Sequence, residues 1–326
     1  MKYLRYLAFF ALAIVIYLSG CGRVVTDLVE ILGVNWTQAT GSAAFSVRMN
    51  QAGAVYQDKL WVIGGYRGSL SPIARNNDVW SSNDGTTWTL AVASAEFGVR
   101  DGHNALVFQN KLWVLGGYQG GGGELNDVWS STDGVTWTQA TASAEFSGRD
   151  GAIGLVYDNK MWLISGYGSP DQYNNDVWSS TDGAHWTQAT AAANFAKRNY
   201  AAGAVFNNKM WVIGGSSSTG KLNDVWSSTD GVTWTQATAS AEFSARNQYS
   251  CLASDNKLWV IGGLSDQGYQ NDVWWSLDGT TWTQAVGSAE FSGRDLFSGA
   301  VYQNKLWVIG GQSQTSSFNN DVWSAP

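Results

Sequence analysis

The chain repeats itself. The 23 residues from Leu125 to Ser147, LNDVWSSTDGVTWTQATASAEFS, return letter for letter from Leu222 to Ser244, 97 positions later, with an edited copy between them. The tetrapeptide NDVW begins at Asn77, Asn126, Asn175, Asn223, Asn271 and Asn320, a period of 48–49 residues. A second signature, Leu/Met-Trp-Val/Leu-Ile/Leu-Gly/Ser-Gly, centres on Trp61, Trp113, Trp162, Trp211, Trp259 and Trp307. A third, Trp-Thr followed by an apolar stretch closing in Phe, starts at Trp36, Trp88, Trp137, Trp186, Trp234 and Trp282. The three sets hold 18 of the 19 tryptophans, and Trp275 is the extra one. A fixed period of this length means stacked or radially arranged units, none able to bury its apolar face alone.

Each unit reads as four short strands. KLWVIGG is an apolar run closed by a glycine pair, NDVWSS and TWTQAT are rich in tryptophan and threonine, and AGAVYQ supplies one more strand. Only three prolines occur, and no segment after the first twenty residues carries a 3.6-residue apolar stripe. Four strands in each of six units predict an all-β, six-bladed propeller over residues 35–326. The chain enters the pattern at Trp36, in the outermost strand of a unit, and leaves it after the NDVW of 320–323, whose strand belongs beside that one. One blade is therefore expected to draw on both ends, closing the ring and hiding its strand edges.

A glycine pair after the second strand, a Trp in the third and fourth, and an Arg opening the first (Arg48, Arg100, Arg149, Arg198, Arg246, Arg294) resemble the kelch-repeat propellers. The resemblance covers roughly 290 of the 326 residues and speaks to fold more than to function. The link SSTDGVTW is similar to the Asp-box hairpin of sialidases but one residue shorter. Its Asp-Gly pair, at Asp84, Asp133, Asp182, Asp230 and Asp278, suits a tight turn, because Asp caps its own backbone and Gly accepts positive φ.

Residues 1–20 read as a targeting signal: Lys2 and Arg5, an apolar core from Leu7 to Leu18, then LSGC. That ending resembles the lipobox of bacterial lipoproteins, which implies cleavage, lipidation of Cys21, and a tether over 21–34. Gly22 in place of Asp implies the outer membrane or cell surface, facing either side. An uncleaved anchor is the alternative, although the apolar run is short for a span of about 20 residues. Without residues 1–20 the chain has 17 Lys and Arg against 26 Asp and Glu, a net charge of −9. Such a balance argues against nucleic acid, whose phosphates reward basic stripes. Cys251 is then left without an intramolecular disulfide partner and is expected to be a packed core thiol.

Function is expected where the copies diverge. Between the glycine pair and NDVW the units read YRGSLSPIARN, YQGGGGEL, YGSPDQYN, SSSTGKL, LSDQGYQ and QSQTSSFN, loops of the kind that carry recognition on a rigid scaffold. In kelch propellers these loops share a face with the links between blades. Four of the six arginines follow a glutamate by four residues (Glu96, Glu145, Glu242, Glu290), whereas Ala44 precedes Arg48 and Asn194 precedes Arg198. Arg48 and Arg198 belong to opposite blades, and with Arg67, Arg75, Lys197 and Lys221 they are expected to form a positive mouth for a carboxylate-bearing ligand. Tyr66, Tyr118, Tyr167, Tyr173, Tyr200, Tyr269 and Phe318 are candidates for stacking on sugar rings or anchoring a peptide.

Enzyme chemistry has fewer handles. His103 and His185 are the only histidines, and His185 falls in an Asp-Gly turn on the opposite rim, against a copper site like that of galactose oxidase; no clustered ligands point to a metal, and nothing points to a cofactor. Asp101, Asp150 and Asp295 follow their arginines and are read either as paired acid–base carboxylates or as partners of those arginines. A mutarotase similar to bacterial N-acetylneuraminate epimerase is the enzymatic alternative. The preferred expectation is a monomeric envelope lipoprotein, touching membrane only through its lipid, that binds a protein or glycan on its loop face.

Overall fold

A computed structural model describes residues 34–68, 75–169, 172–313 and 317–326. Residues 36–326 form one compact unit; the leader, Cys21 and nearly all of the tether lie outside the described residues. Every regular element described is a strand. In blade 1, Ala52–Tyr56, Lys59–Tyr66, Arg75–Ser82 and Thr89–Val92 pair antiparallel in chain order. Blades 2 to 5 repeat that order. Blade 6 takes its outer strand, Thr37–Thr40, from the N-terminal side; it pairs with Phe318–Ala325, with Thr37 opposite Ser324. The structure is thus the six-bladed, two-ended propeller that the repeats predict.

The same residues do the same work in each blade. The second strand is the driest: Leu60, Val62 and Ile63 have no exposed surface. Its Trp61 ring lies against Gly134 of the next blade's Asp-Gly turn, where an added Cβ would stand 2.2 Å from the ring. The pairs Trp307 with Gly85, Trp113 with Gly183, Trp162 with Gly231 and Trp211 with Gly279 repeat this contact. Among the described residues no glycine meets Trp259 in this way; the residues before Val34, on the N-terminal side of the outer strand of blade 6, lie outside them. Opposite Trp259 in register stands Trp275, where the other blades place Ser81, Ser130, Ser179, Ser227 and Ser324. Lys257 caps both rings, at 5.8 and 4.6 Å. The nineteenth tryptophan therefore pairs with the second-strand tryptophan of blade 5.

Around the central channel, first strands touch first strands, and side-chain sizes compensate. Cβ atoms on Gly53, Gly154, Gly203 and Gly299 would come within 3 Å of Ser298, Asn104, Ile153 and Ser250 of the preceding blade. Where the preceding residue is instead Ala52 or Ala202, the next blade carries Ala105 or Cys251. Cys251 is accordingly a buried core residue packed with Ala202, its thiol pKa pushed up by burial.

The glutamates expected beside the arginines do something else. A residue four before another faces it in a helix, and these segments are not helical. Glu96, Glu145, Glu242 and Glu290 instead accept the backbone N–H of Trp137, Trp186, Trp282 and Trp36 in the following blade, at 2.8–3.1 Å. Tyrosine hydroxyls cross three seams, including the two that lack this glutamate: Tyr157 donates to Asn208 O at 2.8 Å, Tyr302 to Asp58 O and Asn83 O at 2.7 and 2.8 Å, and, beside Glu96, Tyr56 to Asn110 O and Thr132 O at 2.7 and 2.9 Å. The seam between blades 3 and 4 thus holds one hydroxyl bond of this kind. Asn194→Glu should add the bond to Trp234 N–H and stabilise by about 1 kcal/mol, and Glu145→Ala should lose a similar amount. The midpoint of urea unfolding reads both.

Candidate functional site: the mouth of the channel

Each of the six arginines is a joint inside the scaffold. Arg48 donates two parallel hydrogen bonds to Asp78 at 2.8 Å, and a third to Gly64 O at 2.9 Å. Asp78 also accepts the Trp80 indole N–H at 2.7 Å. Arg198 meets Asp224 at 2.7 and 2.8 Å and Gly214 O at 2.8 Å. The same arrangement joins Arg100 to Asp127, Arg149 to Asp176, Arg246 to Asp272 and Arg294 to Asp321. Each guanidinium also lies over the preceding phenylalanine, 5.3–5.8 Å from the ring centroid. Arg48 and Arg198 have no exposed surface. Their charge is therefore neutralised by the aspartate of NDVW rather than offered at a positive mouth.

Because the arginine side chain fixes its own blade, the three residues after it are delivered to the axis. There the backbone closes on itself. Gly102 N–H donates to Asn50 O, Gly151 to Gly102, Tyr200 to Gly151, Gln248 to Tyr200, Leu296 to Gln248, and Asn50 to Leu296, all at 2.7–3.0 Å. One residue from each blade makes this ring of six amides. All six have positive φ, including Tyr200 at 47° and Leu296 at 51°, a region costly for side chains of that size. Glycine at 102 and 151 is required for space as well. A Cβ on Gly151 would stand 3.0 Å from the Tyr200 ring, and one on Gly102 would stand 3.1 Å from Asp150 Cβ.

Tyr200 spans the mouth. Its hydroxyl donates to Asp150 Oδ2 at 3.0 Å and accepts from Asn50 Nδ2 at 3.2 Å, so blade 4 meets blade 1 across the axis. Asn50 Nδ2 also donates to Asp101 Oδ1 at 2.8 Å, and Arg75 closes the chain with an ion pair to Asp101 Oδ2. Arg75 is sandwiched by aromatics, 4.6 Å from the Tyr118 centroid and 5.3 Å from Tyr66, and Tyr66 packs edge-on against Phe318 at 5.9 Å. Asp101, Asp150 and Asp295 are thus not partners of the arginines that precede them. Burial raises the pKa of all three, against the pull of Arg75 on Asp101; Asp150 reaches about 6 and Asp295 about 7. Together with the six ring residues, Gln51, His103, Tyr249 and Phe297 line a depression open to solvent. Gln51 and Tyr249 bond the carbonyls of Ile309 and Ile213 in the preceding blade, and burial holds His103 neutral with a pKa of about 3.

The remaining candidates lie on the same face, because Met49, Asp101, Asp150 and Asn199 bridge to the first residue after each glycine pair. Tyr167 stacks edge-on with Tyr173 at 5.5 Å, Lys221 pairs with Asp266 at 2.9 Å, Tyr269 is half-buried and feels Asp295, and Arg67 is exposed. Lys197 is exposed too. The structure therefore brings Tyr200, Arg75, Tyr66 and Tyr118 into one network and leaves Arg48 and Arg198 out of it. Asn50, Gln248 and Leu296 escape sequence reasoning, since they share no letter; their only signal is position, two after an invariant arginine. On the opposite rim, Asp84 accepts the N–H groups of Thr86 and Thr87 at 2.8 Å, and such bonds lower its pKa to about 2. Among the described residues, no group of His, Cys, Asp and Glu is placed to hold a metal.

Residues 50–241 and, overlapping them, 178–325 match the family model described as the KLHDC2/KLHL20/DRC7 Kelch-repeats domain. The overlap follows from the repeat itself. The chain belongs to the kelch-repeat family, a class of propellers whose domains commonly serve as protein-interaction scaffolds. No curated protein matches it.

The raised Asp295 pKa makes a signed prediction. A carboxyl whose pKa is about 7 when folded and 3.8 otherwise favours the folded state in its neutral form. That contribution is full below about pH 4 and is lost as pH rises through about 7. Asn mimics the neutral form, so Asp295→Asn should raise the melting temperature relative to wild type at pH 8.5 and leave it nearly unchanged at pH 3.5.

Proposed function

We propose that the protein is a binding module of a bacterial cell envelope, anchored by lipid at Cys21 and holding a protein or glycan partner on the hairpin face. One observation carries this reading. The residues that recur from blade to blade are consumed by one another, as Arg with Asp and Trp in all six, Trp with Gly in five, and Glu with the next blade in four. The longest run of differing residues lies on a single face, in the hairpins and at the three positions after each arginine. A ligand cannot distinguish six equal positions, whereas an asymmetric face presenting Arg67, Arg75 and several tyrosines on a rigid frame has the composition of a recognition surface.

The chain joins the propeller at Trp36, which follows the position of the Asp-Gly turns in the other blades, on the rim away from the hairpins. The sequence LSGC supplies the anchor in this reading, and the acidic balance of the chain keeps it from adhering to anionic lipid.

Exchanging the blade 1 and blade 2 hairpins for the short SSSTGKL of blade 4 should preserve the melting temperature within a few degrees and abolish retention of an envelope protein or polysaccharide. Retention that survives the exchange would place recognition elsewhere. Separately, Cys21→Ser should prevent incorporation of an alkynyl fatty acid and release the protein from membranes. Unchanged incorporation would remove the lipoprotein reading.

A further inference from the structure

The signature NDVWSS leaves one polar side chain unused. In blade 1, Asn77 donates to Ala95 O at 2.8 Å, Asp78 holds Arg48, Trp80 donates to Asp78, and Ser82 accepts the Gly85 N–H at 2.8 Å. The Ser81 hydroxyl makes no hydrogen bond among the described residues, although the residue is only 8% exposed. Ser130, Ser227 and Ser324, its counterparts in blades 2, 4 and 6, are as buried and as unpaired, and Ser179 of blade 3 is half-buried and unpaired. Register sets Ser81 between Trp61 and Thr89, so the three share one face of the sheet, and Lys59, two before Trp61, projects from it too. Lys59, Ser81 and Thr89 line a hollow with Thr87 and Asp84, on the rim away from the hairpins. Lys209, Ser227, Thr233 and Thr235 line its counterpart in blade 4. Among the described residues neither lysine makes an ion pair.

Blade 5 shows what the space over the serine can hold. Trp275 takes the serine's place between Trp259 and Thr283, and its ring centroid lies 4.6 Å from the Lys257 ammonium. The strands of blade 5 keep the register of the others, so a ring of that size fits against the lysine without disturbing the blade.

We propose that this Lys-Ser-Thr hollow, in blades 1, 2, 3, 4 and 6, receives one neutral sugar ring in each blade, and that the equal sites together hold a repeating glycan. The site is separate from the hairpin face and goes beyond the reading above. A sugar hydroxyl donates and accepts, which matches an ammonium, a carboxylate and several hydroxyls. Lys59 and Asp84 bring opposite charges to the hollow, and the formal charge of −7 repels an acidic polymer, so the neutral ligand is favoured. Each hollow is shallow, and affinity comes from several being engaged at once. Equal positions cannot single out one small ligand, but they suit a ligand that is itself periodic.

The test prints tetrasaccharides of glucose, mannose, galactose and N-acetylglucosamine, with galacturonate as the acidic control, and probes them with the full chain in detergent. At least one neutral glycan should be retained more tightly than galacturonate. Ser81→Trp alone should weaken retention less than about threefold, because the other sites remain. Ser81→Trp, Ser130→Trp, Ser179→Trp, Ser227→Trp and Ser324→Trp together, each copying blade 5, should weaken it roughly a hundredfold. Where that variant does not fold, Lys59→Ala, Lys111→Ala, Lys160→Ala, Lys209→Ala and Lys305→Ala together should do the same. Trp275→Ser should open one more site and tighten retention about twofold. No neutral glycan retained, complete loss through Ser81→Trp alone, undiminished retention in the folded combined variant, no gain from Trp275→Ser, or a preference for galacturonate would each overturn the proposal. Hairpin exchange should leave this binding unchanged. If the exchange abolishes partner retention while no glycan is held here, the hairpin reading stands and this one falls.

Discussion

The bidentate pair between each arginine and the aspartate of NDVW is the interaction on which the functional face depends, because it ties three signatures of the repeat together. Arg48 reaches 16 residues forward to the Gly64 carbonyl and 30 forward to Asp78, fixing the second and third strands of its own blade. Its backbone meanwhile belongs to the blade before: Arg48 N–H donates to Asn319 O, and its carbonyl accepts from Gly311 N–H. One residue thus locks two blades. Removing one partner of so buried a pair leaves an uncompensated charge, a loss of about 3–5 kcal/mol. With six such joints in place, the segments after them have little freedom, and the ring of six amides around the axis follows from that restraint.

The strain in that ring is informative. Asn50 tolerates positive φ easily, but Tyr200 and Leu296 do not. Tyr200 is held there by amide bonds on both sides and by Asn50 and Asp150 at its hydroxyl. The result breaks six-fold symmetry at its centre, linking opposite blades and leaving the side of Gln248 and Leu296 differently furnished. Near-identical copies can therefore carry an asymmetric site, since one substitution at the axis touches several blades at once.

Much of the fold is legible in the sequence, because a 48–49-residue period and alternating tryptophan-rich strands admit few closed architectures. The two-ended blade is legible too, since Trp36 and the NDVW at 320–323 are halves of one pattern. The partners of the arginines are not. Glu96 is near Arg100 in sequence, but only a helix would make a four-residue spacing face inward; the true partner, Asp127, is 27 residues on, across two strands. Reading charge from sequence neighbours suggested a basic mouth, and pairing across the sheet leaves an acidic one. Tyr66, Tyr118, Tyr200 and Arg75 were visible as departures from the repeat. That they meet Asp101, Asp150 and Asn50 depends on the circular order of blades 1 to 4, which only the closed ring supplies.

The account divides residues into those that hold the ring and those that recognise something, and a substitution scan scored twice tests that division most directly. Every position from 36 to 326 would be varied and scored for folded abundance and for retention of the ligand captured by the wild type. Substitutions at the arginines, the NDVW aspartates and the turn glycines should lower abundance and retention together. Loss of retention at full abundance should map to the hairpins and to the three positions after each arginine. If it maps instead to the Asp-Gly turns or the outer strands, the face assigned here is the wrong one.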